Sequence, residues 1–113
     1  MPFISTKTNV SISASQEEKL RAKFGEAIEL VPGKTEKWLM LQFEGQAHMA
    51  FAGSAEACAM VRVICYGKAS SEAYAQLTKA LTQLISDELS IDPSRIYVAY
   101  SETDHWGWAG NNF

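Results

Sequence analysis

The sequence predicts an α/β (α+β) fold in which two βαβ units build a four-stranded mixed sheet with two helices on one face. Three observations carry this. Two amphipathic helical stretches, ending near Val31 and Leu89, are each flanked by short β-branched apolar runs. A helix between two strands favours a right-handed crossover and parallel pairing of those strands. Each helix also runs into a proline turn and then an apolar strand with an early aromatic. Pro32-Gly33-Lys34 leads to Trp38, and Asp92-Pro93 leads to Tyr97, a faint internal repeat.

The elements follow in order. Phe3 to Val10 alternates Phe, Ser, Lys and Asn on one face with Ile, Thr, Thr and Val on the other, as a strand does. Ser15 to Glu18 reads as a capping box, with Glu18 three residues after the cap. Behind it Leu20, Phe24, Ala27, Ile28 and Val31 recur on one helical face, opposite Lys19, Lys23 and Glu26. Pro32-Gly33 stops that helix. Trp38 to Phe43 is a second strand, and Met49 to Gly53 adds a short piece. Cys58 to Tyr66 is a long strand ended by Gly67. Ser71 caps a helix striped by Tyr74, Leu77, Leu81, Leu84, Ile85 and Leu89. After the Asp92-Pro93-Ser94 turn, Arg95 to Tyr100 is the last long strand. The tail from Asp104 to Phe113 reads as loop with a short edge strand.

A chain of 113 residues is one domain, residues 1–113, large enough to bury a core without disulfides or a structural metal. Its formal net charge of −3, with ten scattered Lys and Arg, argues against nucleic acid as a partner. Cys58 and Cys65 form no C-x-x-C pair and read as reduced and buried in a strand. His48 and His105 are isolated, so no metal site is expected. No apolar run spans a bilayer and no secretory or transit signal opens the chain, which gives a cytoplasmic expectation. With both helices on one sheet face, the other face is bare. MVRVIC and RIYVAY read as too apolar for water to cover it, so other subunits are expected there.

Pro2 is the most informative position. Methionine aminopeptidase removes Met1 when the next residue is small, and the product is a free secondary amine. Its basicity must be depressed for it to act as a base near neutral pH. Burial and a nearby ammonium both do this. Phe3, Trp106 and Phe113 are candidates for the first effect and Lys34 for the second. A base so poised suits proton removal beside a carbonyl. Taken alone, Met-Pro opens many proteins that have no chemistry at their terminus, so the remaining motifs must carry the reading.

Those motifs are M-P-F-I with Thr8-Asn9-Val10, and Pro32-Gly33-Lys34 followed by Trp38. Further on stand M-A-F-A-G-S at Met49 to Ser54, Tyr66-Gly67-Lys68, D-P-S-R-I-Y-V at Asp92 to Val98, and W-G-W-x-G-N-x-F from Trp106 to Phe113. In this order and spacing the chain resembles the macrophage migration inhibitory factor family along almost its full length. The resemblance implies a homotrimer whose three sheets surround a channel, with pockets at subunit interfaces. It implies keto–enol tautomerisation of phenylpyruvate-type α-keto acids or dopachrome-like compounds, with no cofactor. Pro2 would be the catalytic base. Lys34 would hold the substrate carboxylate or keto oxygen, and the backbone N–H of Tyr66 would add a donor. Tyr97 would enter from the neighbouring subunit. Trp38, Trp106 and Phe113 would wall the substrate ring. Without the resemblance, Lys34 reads as a helix-end cation, Tyr97 as a strand residue and the tail aromatics as packing.

The departures are as informative. Val61 stands where the better-known animal members have the second cysteine of a C-x-x-C, so no thiol–disulfide activity is expected. A pocket asparagine of familiar members falls at Ala99, which removes one hydrogen bond worth about 1 kcal/mol. Tyr66 and Trp106 replace smaller groups and reshape the pocket. A second reading is a cytokine-like interaction protein with a vestigial pocket. It would have a protein receptor as partner and be secreted without a signal peptide.

Overall fold

A computed structural model describes residues 1–113. Strand β1 (Pro2–Thr8) lies between β2 (Met40–Glu44), to which it is parallel, and β3 (Ala59–Tyr66), to which it is antiparallel. Strand β4 (Ile96–Thr103) pairs parallel with β3, so the mixed sheet runs β2-β1-β3-β4. The helices α1 (Ala14–Ala27) and α2 (Ser71–Leu89) are the two crossovers, and each joins a parallel strand pair. The expected pair of βαβ units and its mixed sheet are therefore present. No helix is long and apolar enough to cross a membrane.

The core lies between the sheet and the helices. Ile4, Val61 and Val63 meet Leu20, Phe24 and Ile28 from the first crossover and Leu77, Leu81 and Ile85 from the second. Alternation along β1 buries Ile4, Thr6 and Thr8 against the helices and turns Phe3, Ser5 and Lys7 to the other face, where Ser5 is also buried. Phe24 tilts against Phe43 at 5.5 Å and closes the core beside β2.

Several boundaries differ from the sequence reading. The first helix is capped by Ser13, not Ser15. Its side chain accepts from Gln16 N–H, and the Gln16 side chain returns a bond to Ser13 N–H. Gln at that position closes the box as well as Glu does. The helix tightens to a 3-10 turn over Ile28–Leu30 before Pro32. Ser70, not Ser71, caps α2. Trp38 ends a 3-10 turn (Glu36–Trp38), and the strand starts only at Met40. Met49 to Gly53 contributes one bridge, Phe51 to Ser54. Cys58 lies one residue ahead of β3, buried and free like Cys65. The tail forms its own two-stranded ribbon, β5 (Gly107–Trp108) and β6 (Asn111–Asn112). Its turn residues Ala109 and Gly110 both have positive φ, 52° and 86°, which suits the twist of a tight hairpin.

The open sheet face is also more polar than the sequence reading supposed. Phe3, Met60 and Ile64 are there, but so are Ser5, Lys7, Gln42 and Arg62. The apolar residues of MVRVIC and RIYVAY divide by parity. Val61, Val63, Ile96 and Val98 go to the helix side, which leaves Arg62, Tyr97 and Ala99 on the open one.

Candidate active site

Register places the chain's amino end. Pro2 pairs with Cys65 and Phe3 with Met40, so the amine sits where β3 ends and β2 begins. Pro2 is buried and Met1 is partly so. Tyr66 N–H donates to the Met1 carbonyl at 3.0 Å. Lys34 reaches the same point from the turn after the first crossover. Gly33 takes φ +82° there, and Lys34 Nζ donates to the Tyr66 carbonyl at 2.8 Å. Burial and then the Lys34 ammonium hold the terminal amine below the ordinary α-amine range. With Met1 attached, that amine belongs to Met1 and the Pro2 nitrogen is an amide.

Beside the amine is a cavity of about 340 Å³ lined by Met1, Pro2, Phe3, Trp38, Trp106 and Trp108, among others. Trp38 and Trp108 meet edge to face at 5.3 Å and 88°. Phe113 tilts on Tyr66 at 5.6 Å, and its N–H donates to the Trp106 carbonyl at 3.0 Å. The ribbon β5–β6 thus holds the tail over the end of the sheet. Flat aromatic walls beside a cationic end suit a planar ring carrying an anionic group.

Behind the amine the Cys65 thiol is buried, and burial pushes its pKa up. Tyr74, stacked on Tyr100 at 4.5 Å, donates its hydroxyl to Glu102 at 2.7 Å. Burial, then Glu102, hold the Tyr74 hydroxyl well above the usual tyrosine range. Tyr74, then the Ala69 N–H, hold Glu102 below the usual carboxylate range. No three His, Cys, Asp or Glu side chains converge as metal ligands would.

Of the residues singled out from sequence, Pro2, Lys34, Tyr66, Trp38, Trp106 and Phe113 gather at this end. Tyr97 does not. It pairs with Met60, whereas Pro2 pairs with Cys65. Five residues of strand separate them, roughly 17 Å. Tyr97 is 60% exposed at the far end of the sheet and leans on Phe51 at 4.8 Å. Trp108 and Lys37 line the cavity but were not among the residues read from sequence. For Trp108 the signal was present, since W-G-W in an extended segment puts both indoles on one face.

Two βαβ units sharing one mixed sheet, with the amine at the sheet's end beside a lysine, define a protein of the tautomerase superfamily type. The family model described as macrophage migration inhibitory factor (MIF) matches residues 1–113. The chain belongs to the macrophage migration inhibitory factor family. It is 30% identical over 115 residues to the macrophage migration inhibitory factor of Meriones unguiculatus, with 100% of this chain and 99% of that protein covered. Its fold is similar to that of Leishmania major MIF2, with a TM-score of 0.94 and 34% identity over 100% of this chain and 97% of that one. The homologue from Prochlorococcus marinus gives a TM-score of 0.84 at 25% identity, covering 98% of each chain.

Proposed function

We propose that the chain, once Met1 is removed, is a keto–enol tautomerase of phenylpyruvate-type α-keto acids or dopachrome-like compounds, with Pro2 as general base. The observation that carries this reading is the terminal amine, held below its ordinary pKa by burial and by Lys34. Loss of Met1 moves the amine to Pro2, a more deeply buried residue at the same corner. The same two causes then act on a secondary amine and favour its neutral form near pH 7.

The steps are proton transfers only. The neutral Pro2 nitrogen takes a proton from the carbon beside the substrate carbonyl. The C–H electron pair becomes the carbon–carbon double bond, and the carbonyl pair moves to oxygen. Lys34 and Tyr66 N–H stabilise that oxygen as charge develops on it. Tyr66 N–H serves the Met1 carbonyl before processing, so the Met1 oxygen stands in for the substrate's. Pro2 then returns the proton to the oxygen, giving the enol and the neutral amine. The reverse sequence gives the keto form.

The working species is a homotrimer in this proposal. Strands β2 and β4 are open edges, and Met40 and Tyr97 on them are 67% and 60% exposed. A neighbour docked on these edges brings its own Tyr97 to the Pro2 pocket, which one chain cannot do. Sedimentation at micromolar concentration should return three chains per particle.

The test is Pro2→Gly in protein whose intact mass shows Met1 absent. Ketonisation of enol phenylpyruvate should fall by about 10²–10⁴-fold. An unchanged rate would remove the enzymatic reading and leave that of an interaction protein.

A further inference from the structure

We propose that Lys37 selects aromatic keto acids that carry a second anionic group at the end of the ring away from the keto acid. The proposal rests on the tautomerase reading above and narrows its substrate class.

Lys37 is the only charged side chain lining the 340 Å³ cavity beside Pro2. Its Nζ lies 5.3 Å from the Trp38 ring centroid, and Trp38 itself abuts Trp108. The cation therefore rests on the aromatic wall that would flank a substrate ring. No carboxylate lies within ion-pairing distance of it. The ion pairs of the chain are Lys19 with Glu88 and Lys23 with Glu26. The adjacent Glu36 is turned against Gly25 of α1, where a methyl group on Gly25 would collide with its carboxylate. No acidic side chain lines the cavity to compete for the ammonium.

A second cation, Lys34, stands at the inner end beside the amine. Its Cα is three residues from that of Lys37, so the two Cα atoms are at most about 11 Å apart. A ring lodged against the aromatic wall would have Lys37 beside it and Lys34 toward the amine. That arrangement recognises a planar molecule with an acid group at each pole, such as a phenylpyruvate with a para-carboxylate. Hydration weakens a contact between an exposed ammonium and an indole face. An incoming carboxylate forms a charge-assisted bond in its place. The gain of an exposed pair is modest, so a preference of about twofold to fivefold in kcat/KM is expected, shrinking as salt rises.

The experiment uses the processed, assembled protein and two substrates, 4-carboxyphenylpyruvate and 4-carboxamidophenylpyruvate. They match in size but differ in charge, and the amide is the more electron-withdrawing, so the acid-to-amide ratio is read against the same ratio in Lys37→Gln. At low salt the kcat/KM ratio of acid to amide should be about twofold to fivefold higher in the parent protein than in Lys37→Gln. That excess should persist in Lys37→Arg and shrink as salt rises. A ratio that Lys37→Gln leaves intact overturns the proposal. If neither compound is turned over, the tautomerase reading fails separately. Quenching of tryptophan fluorescence then gives the same affinity ratio without chemistry, and the same two outcomes decide.

Discussion

Lys34→Gln separates the two jobs that the proposed mechanism gives to one ammonium. Lys34 Nζ is fixed 2.8 Å from the Tyr66 carbonyl, and after burial its charge is the largest cause lowering the terminal amine. Glutamine keeps a donor and removes the charge. A hydrogen bond to a charged group exceeds a neutral one by about 1–1.5 kcal/mol, so kcat/KM should fall by about 5- to 13-fold. Independently, the protonated amine loses a repelling neighbour and its pKa rises. Burial persists, so the rise is incomplete. Activity grows as the amine loses its proton, so the acidic limb of the kcat/KM profile should move to higher pH. Stability moves with it. The amine binds fewer protons folded than unfolded, so folding is penalised below its lowered value, and the penalty fades as pH rises to the ordinary value of the free amine. Lys34→Gln should shrink that gain. The assay is ketonisation of enol phenylpyruvate by Met1-free protein, with Lys34→Arg as the charge-keeping control. A limb that stays put in Lys34→Gln would refute the electrostatic role. A loss of less than about threefold would refute the charge assistance to the substrate oxygen.

Two further changes test the scaffold around the site. Thr6 is fully buried on β1 and its hydroxyl has no partner, so Thr6→Val should stabilise the fold by about 1 kcal/mol in urea melts at fixed protein concentration. A lower midpoint would mean that the hydroxyl is satisfied after all. Glu102→Gln should bring the Tyr74 hydroxyl down toward the ordinary tyrosine range without reaching it, because burial is the larger cause. Alkaline difference absorbance reads this. At the acid end, the lowered Glu102 pKa gives stability that is present above the ordinary Glu value near about 4.3. That contribution is lost as pH falls through the lowered value. Acid titration should therefore cost the parent protein more stability than Glu102→Gln, and an equal loss would show that the Tyr74 bond does not favour the charged carboxylate.

What could be read from sequence was whatever rests on periodicity or on local covalent chemistry. The parity of β1, the stripes of α1 and α2 and the stops at Pro32 and Pro93 all follow from rules that act within a few residues. The misreadings have one cause, competition between equally good local candidates. Ser13 and Ser15 both satisfy the capping rule, and only Gln16 reaching back selects Ser13. Trp38 heads an apolar run, but the parallel register with β1 begins at Met40 and leaves Trp38 in a turn. Lys37 was invisible because nothing in its own segment marks it. It becomes notable only when Trp38 and the tail ribbon close a wall around it.

The same distinction bears on how the candidate site tolerates change. The groups nearest the proposed chemistry are backbone features: the amine at the start of β1, and the Tyr66 N–H one residue past the Pro2–Cys65 pair. Side chains can vary there without moving either group, because register fixes both. Tyr66 illustrates this, since its bulky ring packs on Phe113 while its N–H still points at the Met1 carbonyl. Lys34 is the exception, because in the proposed mechanism both the amine and the substrate oxygen depend on its charge, so only another cation can replace it. The walls are different. Trp38, Trp106 and Trp108 come from a turn and from the tail ribbon, segments with few constraints from the sheet. Substitution there should change which ring is accepted and leave the proton transfer itself in place.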